Sequence, residues 1–204
     1  MTDLTSGCAR AAAIILAAGA STRMARPKQL LPFSGGTLLG SVIDAATQAH
    51  FAPVIVVVGA GADAIQASIA SKPVTVVRNA NWTSGMGLSI AAGVNYLRNA
   101  PADNSAAVAI LTCDQPFVTA GHLAAMRRML FTSGASAVAA EYSGTLGVPA
   151  FFKRELFGRL ASLPPECGAK LLFADPAVKV ASFALPEAAI DIDTPEDFRT
   201  IAPT

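Results

Sequence analysis

Ala12-Ala13-Ile14-Ile15-Leu16 runs into Ala17-Ala18-Gly19-Ala20-Ser21-Thr22-Arg23-Met24, with Lys28 following closely. A continuous apolar run of this length reads as a strand covered on both faces. It stops at a loop of small residues, which leaves backbone N–H groups open to a ligand at the carboxyl end of the strand. Gly19 can take a positive φ without a Cβ clash. Arg23 and Lys28 add two positive charges over the same spot, so the loop suits a run of phosphate oxygens. Neither G-x-G-x-x-G nor G-x-x-x-x-G-K-[ST] occurs in the chain, which sets it apart from the two common phosphate loops.

Outward from this loop, strand-like and helix-like segments alternate. Residues 37–51 place apolar side chains at Leu38, Leu39, Val42, Ala45, Ala46 and Ala49, a helical period with Thr37 as N-cap. Pro53 to Gly59 reads as a second buried strand, residues 62–70 as a short helix and Val74 to Val77 as a third strand. A helix from Gly87 to Arg98 precedes a fourth strand, Ala106 to Leu111. Such alternation predicts a single-domain, Rossmann-like α/β fold, a mostly parallel sheet with helices on both faces. The last third changes character. Strands are expected over 135–142 and 148–152 around a Ser143-Gly144 turn, a helix over 154–163, short strands over 178–183 and 188–192, and a terminal helix from Thr194.

Composition narrows the function. The 204 residues fit one domain, read as residues 11–204 behind a disordered lead of residues 1–10. Fifteen Lys and Arg against 14 Asp and Glu argue against a nucleic-acid partner. No apolar run reaches the roughly 18 residues a membrane span requires. Three scattered cysteines (Cys8, Cys113, Cys167) fit a reducing, cytoplasmic setting. With only His50 and His122 beside them, they argue against zinc.

Ligands of open parallel sheets bind beyond the carboxyl ends of the strands. Asp114 ends one apolar run, where an unpaired carboxylate is costly unless a divalent cation neutralises it. The local sequence equally allows Asp114 to cap a following helix. Asp191 and Asp193 flank Ile192 and share a face if the segment is extended. Asp193 could instead cap the helix that begins at Thr194-Pro195. Between Asn79 and Ile90, Gly85 and Gly87 permit close backbone approach, and Ser89 offers a hydroxyl near a helix start.

Four of these segments together resemble the nucleotidyltransferases, and most closely the molybdenum cofactor cytidylyltransferases and guanylyltransferases. The carriers are Leu16-Ala17-Ala18-Gly19-Ala20-Ser21-Thr22-Arg23-Met24-Ala25-Arg26-Pro27-Lys28-Gln29-Leu30-Leu31-Pro32, Asn79 to Ile90, Leu111 to Pro116, and Asp191 to Asp197. Ala25 stands where the family usually has glycine. The resemblance implies the fold of nucleotide-diphospho-sugar transferases and transfer of a nucleoside monophosphate from a triphosphate, CTP favoured, to a molybdopterin-type acceptor. It implies nucleotide contacts from Leu16, Ala17, Ala18, Gly19, Ser21, Arg23, Lys28, Gly85, Ser89 and Asp114, with Lys28, Arg23 and Asp114 catalytic. It further implies Mg²⁺ on Asp114 with Asp193 or Asp191, and acceptor contacts from Gly147, Pro149 and Lys170. Lys170 replaces the usual arginine and keeps a point charge without the bidentate fork. A transient contact with a molybdoenzyme receiving the cofactor belongs to the same expectation. A cofactor-carrying protein without turnover and a dinucleotide-dependent oxidoreductase are the rival classes; the latter lacks its glycine fingerprint here.

Overall fold

The computed structural model describes residues 9–24, 26–101 and 103–201. Cys8, Ala25 and residues 1–8 of the expected lead therefore lie outside the described residues. Among the described residues nine strands occur: β1 (Ala11–Ala17), β2 (Pro32–Phe33), β3 (Gly36–Thr37), β4 (Val54–Val58), β5 (Thr75–Arg78), β6 (Ala107–Thr112), β7 (Ala137–Tyr142), β8 (Thr145–Lys153) and β9 (Val180–Ala184). The α-helices are α1 (Leu38–Gln48), α2 (Ala62–Ser68), α3 (Met86–Asn99), α4 (Ala120–Thr132), α5 (Phe157–Ala161), α6 (Lys170–Phe173) and α7 (Pro195–Ile201).

Seven strands form one sheet in the order β5-β4-β1-β6-β8-β7-β9, and β2 and β3 form a separate hairpin. The pairs β5–β4, β4–β1, β1–β6 and β7–β9 are parallel, and β8 alone runs against its neighbours. Every residue of β1 and β4 is buried, because side chains alternate between two covered faces. Ala11, Ala13, Ile15 and Ala17 face a layer that includes Leu39, Val42 and Ile43 of α1 and Leu123, Met126 and Leu130 of α4. Ala12, Ile14 and Leu16 face the opposite layer, with Ile90, Val94 and Leu97 of α3 and Leu160 of α5. Phe151 and Phe152 are fully buried, one on each side, so they serve packing.

Thr37 caps α1 as expected, its hydroxyl accepting from Gly40 N at 3.0 Å. Ser143 and Gly144 both take positive φ, 50° and 71°, and join β7 to β8 with Tyr142 opposite Thr145. That is the two-residue turn whose twist matches the strands. The strand expected over 188–192 is absent. Pro186 opens a short 3-10 turn, Pro186–Ala189, Ile190 is extended, and residues 190–193 join no strand of the sheet. The alternation still holds: Ile192 is buried against Met24, Leu31 and Leu38 while Asp191 is exposed.

Candidate functional site

The loop after β1 turns its carbonyl oxygens inward. The buried Gln29 side chain donates from Nε2 to Ala17 O at 3.0 Å and Gly19 O at 2.9 Å. Ala18 O accepts from Ala60 N at 3.0 Å, and Ser21 O from Met24 N at 2.9 Å. The N–H groups of Gly19, Ala20 and Ser21 have no acceptor among the described residues. The positive φ falls on Ser21 (53°), not on Gly19 as expected. Gly19 serves differently, since a Cβ there would meet nothing within 4 Å and would project into open space. The loop walls a cavity of about 210 Å³, shared with Leu16, Lys28, Gln29, Trp82, Gly85, Met86, Ser89, Thr112, Cys113 and Asp114. A larger groove of about 540 Å³ beside the β2–β3 hairpin holds none of the sequence-predicted site residues.

Charge converges at one end of the smaller cavity. Lys28 Nζ lies 2.6 Å from Asp114 Oδ2 and 2.8 Å from Asp193 Oδ1, and Arg23 Nη2 lies 2.7 Å from Asp193 Oδ2. Burial pulls the Lys28 ammonium down, but the Asp114 charge and hydrogen bonds to both carboxylates outweigh it and hold the pKa above its ordinary value. The hydrogen bond from Lys28 likewise holds the Asp193 carboxyl low. Burial, then the charges of Asp193 and Asp114, push Asp191 up. Cys113 is fully buried, and its thiol is pushed up to about 12 by burial and the neighbouring Asp114.

Both capping alternatives fail. The helix after Asp114 starts at Ala120 and is capped by Thr119. Thr194 Oγ1 accepts from Asp197 N at 3.2 Å, and Asp197 Oδ2 accepts from Thr194 N and Asp193 N. This reciprocal box leaves the Asp193 carboxylate free for Lys28 and Arg23. Lys28 thus bridges the Asp114 and Asp193 carboxylates. Among the described residues no group of three or more His, Cys, Asp or Glu is placed to hold a metal ion, so Asp191 does not complete a triad with them.

On the opposite wall, Asn79 Nδ2 donates to Ser89 Oγ at 3.0 Å, and both residues are buried. Gly85 and Gly87 line up against the protein's own backbone. A Cβ on Gly85 would fall 2.2 Å from Pro165 O, and one on Gly87 2.1 Å from Pro164 O. Gly87 N donates to Pro165 O at 2.8 Å. The glycines thus weld the start of α3 to the 164–167 loop. Trp82 packs over Gly59, where a Cβ would be 2.6 Å from the indole.

The acceptor-side residues are less gathered. Gly147 lies under Tyr142, whose hydroxyl a Cβ would approach to 2.2 Å. Pro149 is buried in β8, next to a Val148 carbonyl that accepts from Gln115 Nε2 at 3.0 Å. Lys170 is exposed at the start of α6 and lines neither cavity. Sequence reasoning missed the roles of Gln29, Asn79, Trp82 and Gln115. Gln115 also reaches Ala188 O at 2.8 Å, tying β6 to the segment that carries Asp191 and Asp193. For Asn79 and Gln115 the signal was an amide inside or beside an otherwise apolar strand end.

The sequence model of the MobA-like NTP transferase domain matches residues 13–180. Nicotine blue oxidoreductase of Paenarthrobacter nicotinovorans is 36% identical over 104 residues, half of this chain and 48% of that protein. The chain thus spans about half the length of this curated relative. The Rv0371c protein of Mycobacterium tuberculosis H37Rv superposes with a TM-score of 0.76 at 28% identity, covering 94% of this chain and 97% of that one. Its complex with manganese superposes with a TM-score of 0.71 at 29% identity, covering 94% and 97%. A nucleotidyl transferase from Methanothermobacter thermautotroptrophicus reaches 0.78 at 21% identity, covering 94% of this chain and 95% of that one, and shares the fold.

Proposed function

The chain belongs to the MobA-like NTP transferase family, and we propose that it transfers a nucleoside monophosphate from a triphosphate, CTP favoured, to a phosphate-bearing molybdopterin-type acceptor. One observation carries the reading: among the described residues the Gly19–Ser21 N–H groups have no acceptor, in a loop that shares its cavity with an ammonium held between two carboxylates. An acceptor phosphate oxygen attacks the α-phosphorus; the bond from that phosphorus to the β-bridging oxygen breaks, and pyrophosphate leaves. The loop N–H groups and Arg23 meet the phosphate oxygens, and Lys28 offsets charge spreading in the transition state. Leu16, Trp82 and Met86 give the cavity an apolar wall for a base. An acceptor that is already an anion needs no general base.

The donor set fits Mg²⁺, which takes one or two carboxylates and fills its remaining positions with phosphate oxygens and water. Asp114 and Asp193 would hold it, and when bound it supplies charge neutralisation at the phosphates. The manganese complex of the Rv0371c protein supports a divalent cation. Handover of product to a molybdoenzyme in the cytoplasm completes the reading.

The test is pyrophosphate release with Mg²⁺, molybdopterin cofactor and each of CTP, GTP, ATP and UTP. Release with CTP is expected. Preference for GTP keeps the chemistry and changes the base, and silence with all four overturns the transferase in favour of a carrier. The likeness to nicotine blue oxidoreductase supports a second reading, a redox enzyme, which predicts oxidation of a reduced nicotinamide cofactor in the same tubes.

A further inference from the structure

Lys28 is followed by Gln29, a side chain 1% exposed whose amide is hydrogen-bonded within the protein. Its amide lies beneath the phosphate loop and bonds it at three points. Nε2 donates to Ala17 O at 3.0 Å and to Gly19 O at 2.9 Å, and Oε1 accepts from Ser21 Oγ at 3.4 Å. Ser21 Oγ in turn accepts from Lys28 N at 3.0 Å, so the same small network fixes the start of the turn that carries the lysine. A peptide unit has its C=O and N–H on opposite sides. Drawing the Gly19 carbonyl inward therefore turns the Ala20 N–H outward, and the bonds at Ala17 O and Ser21 Oγ fix the loop on either side of it. If that carbonyl faced the cavity, it would repel phosphate oxygens.

We propose that Gln29 is the positioning residue of the triphosphate loop, setting its polarity through the carbonyls it draws inward at the cavity wall. This rests on the nucleotide reading of the cavity. Methionine at this position keeps the volume and loses both donated bonds; glutamate keeps the shape and presents an ionised acceptor to two carbonyls.

The test compares Gln29→Met and Gln29→Glu with wild type and with Val94→Ala, a buried truncation in α3. CTP binding with Mg²⁺ is followed by the fluorescence of Trp82, the single tryptophan, which lines the cavity. Loss of the two bonds is expected to weaken CTP binding about tenfold and to raise the KM for CTP more than it lowers kcat. Val94→Ala, with a similar loss of melting temperature, keeps wild-type affinity. Amide hydrogen exchange at residues 19–21, without nucleotide, is expected to accelerate in Gln29→Met and not in Val94→Ala. Affinity within twofold of wild type, or unchanged exchange, overturns the proposal. If wild type binds none of the four triphosphates, the nucleotide reading falls, and the exchange measurement alone decides whether Gln29 holds the loop.

Discussion

Lys28 answers two carboxylates at once, and each of its partners is less than a third exposed. Removing the ammonium leaves Asp114 and Asp193 facing one another with only Arg23 as counter-charge, itself two-thirds exposed. Lys28→Ala and Asp114→Ala should each lower pyrophosphate release about 10²-fold or more, the range for groups that stabilise transition-state charge, with circular dichroism showing the fold retained. A second pair, remote from the cavity, reports on stability alone. Burial pushes the Asp103 carboxyl up, but hydrogen bonds from Ser105 and Arg154 outweigh it and hold the group below 3.8. A depressed folded value means the stabilisation is complete above the unfolded value and is lost as pH falls through the folded one. Asp103→Asn should therefore destabilise at neutral pH and flatten the fall in melting temperature below about pH 4.

At the scale of elements, the start of α3 and the 164–167 loop meet with no room between them. Gly87→Ala forces one backbone away from the other, and overpacking of this kind costs about 1–3 kcal/mol, measurable by denaturant unfolding. Because Gly85, Met86 and Ser89 line the cavity, the same variant should weaken nucleotide binding, read by titration. This contact was illegible in the sequence: Gly85 and Gly87 announce close approach without saying what approaches. β1 and β4 were legible because burial on both faces leaves an uninterrupted apolar run. Residues 188–192 misled because alternation reports which side faces inward and not whether a neighbouring strand is present to pair. Asp114 and Asp193 were legible as acids out of place, whereas their shared partner lies 86 and 165 residues away in the chain. Gln29 carried no readable signal, since nothing local distinguishes a buried amide from an exposed one.

For the molecule as a whole, ligand binding and stability are linked. A triphosphate present at 100 times its Kd adds about 2.7 kcal/mol, roughly 5–10 °C in melting temperature for a chain of this size. Ranking CTP, GTP, ATP and UTP by that shift in the presence of Mg²⁺ should reproduce their order in the pyrophosphate assay. The mycobacterial relative keeps the whole architecture at 28% identity, as expected where two covered faces tolerate apolar exchange of conserved volume. The sheet order has a consequence in time. β1 precedes β2 and β3 in the sequence, yet its partners are β4 and β6, with Ala11 paired to Ala107. Contacts this distant form late and slowly, after long loops have closed. The phosphate loop is thus synthesised before the strands and carboxylates it depends on, and its charge cluster closes only once Asp193 has emerged.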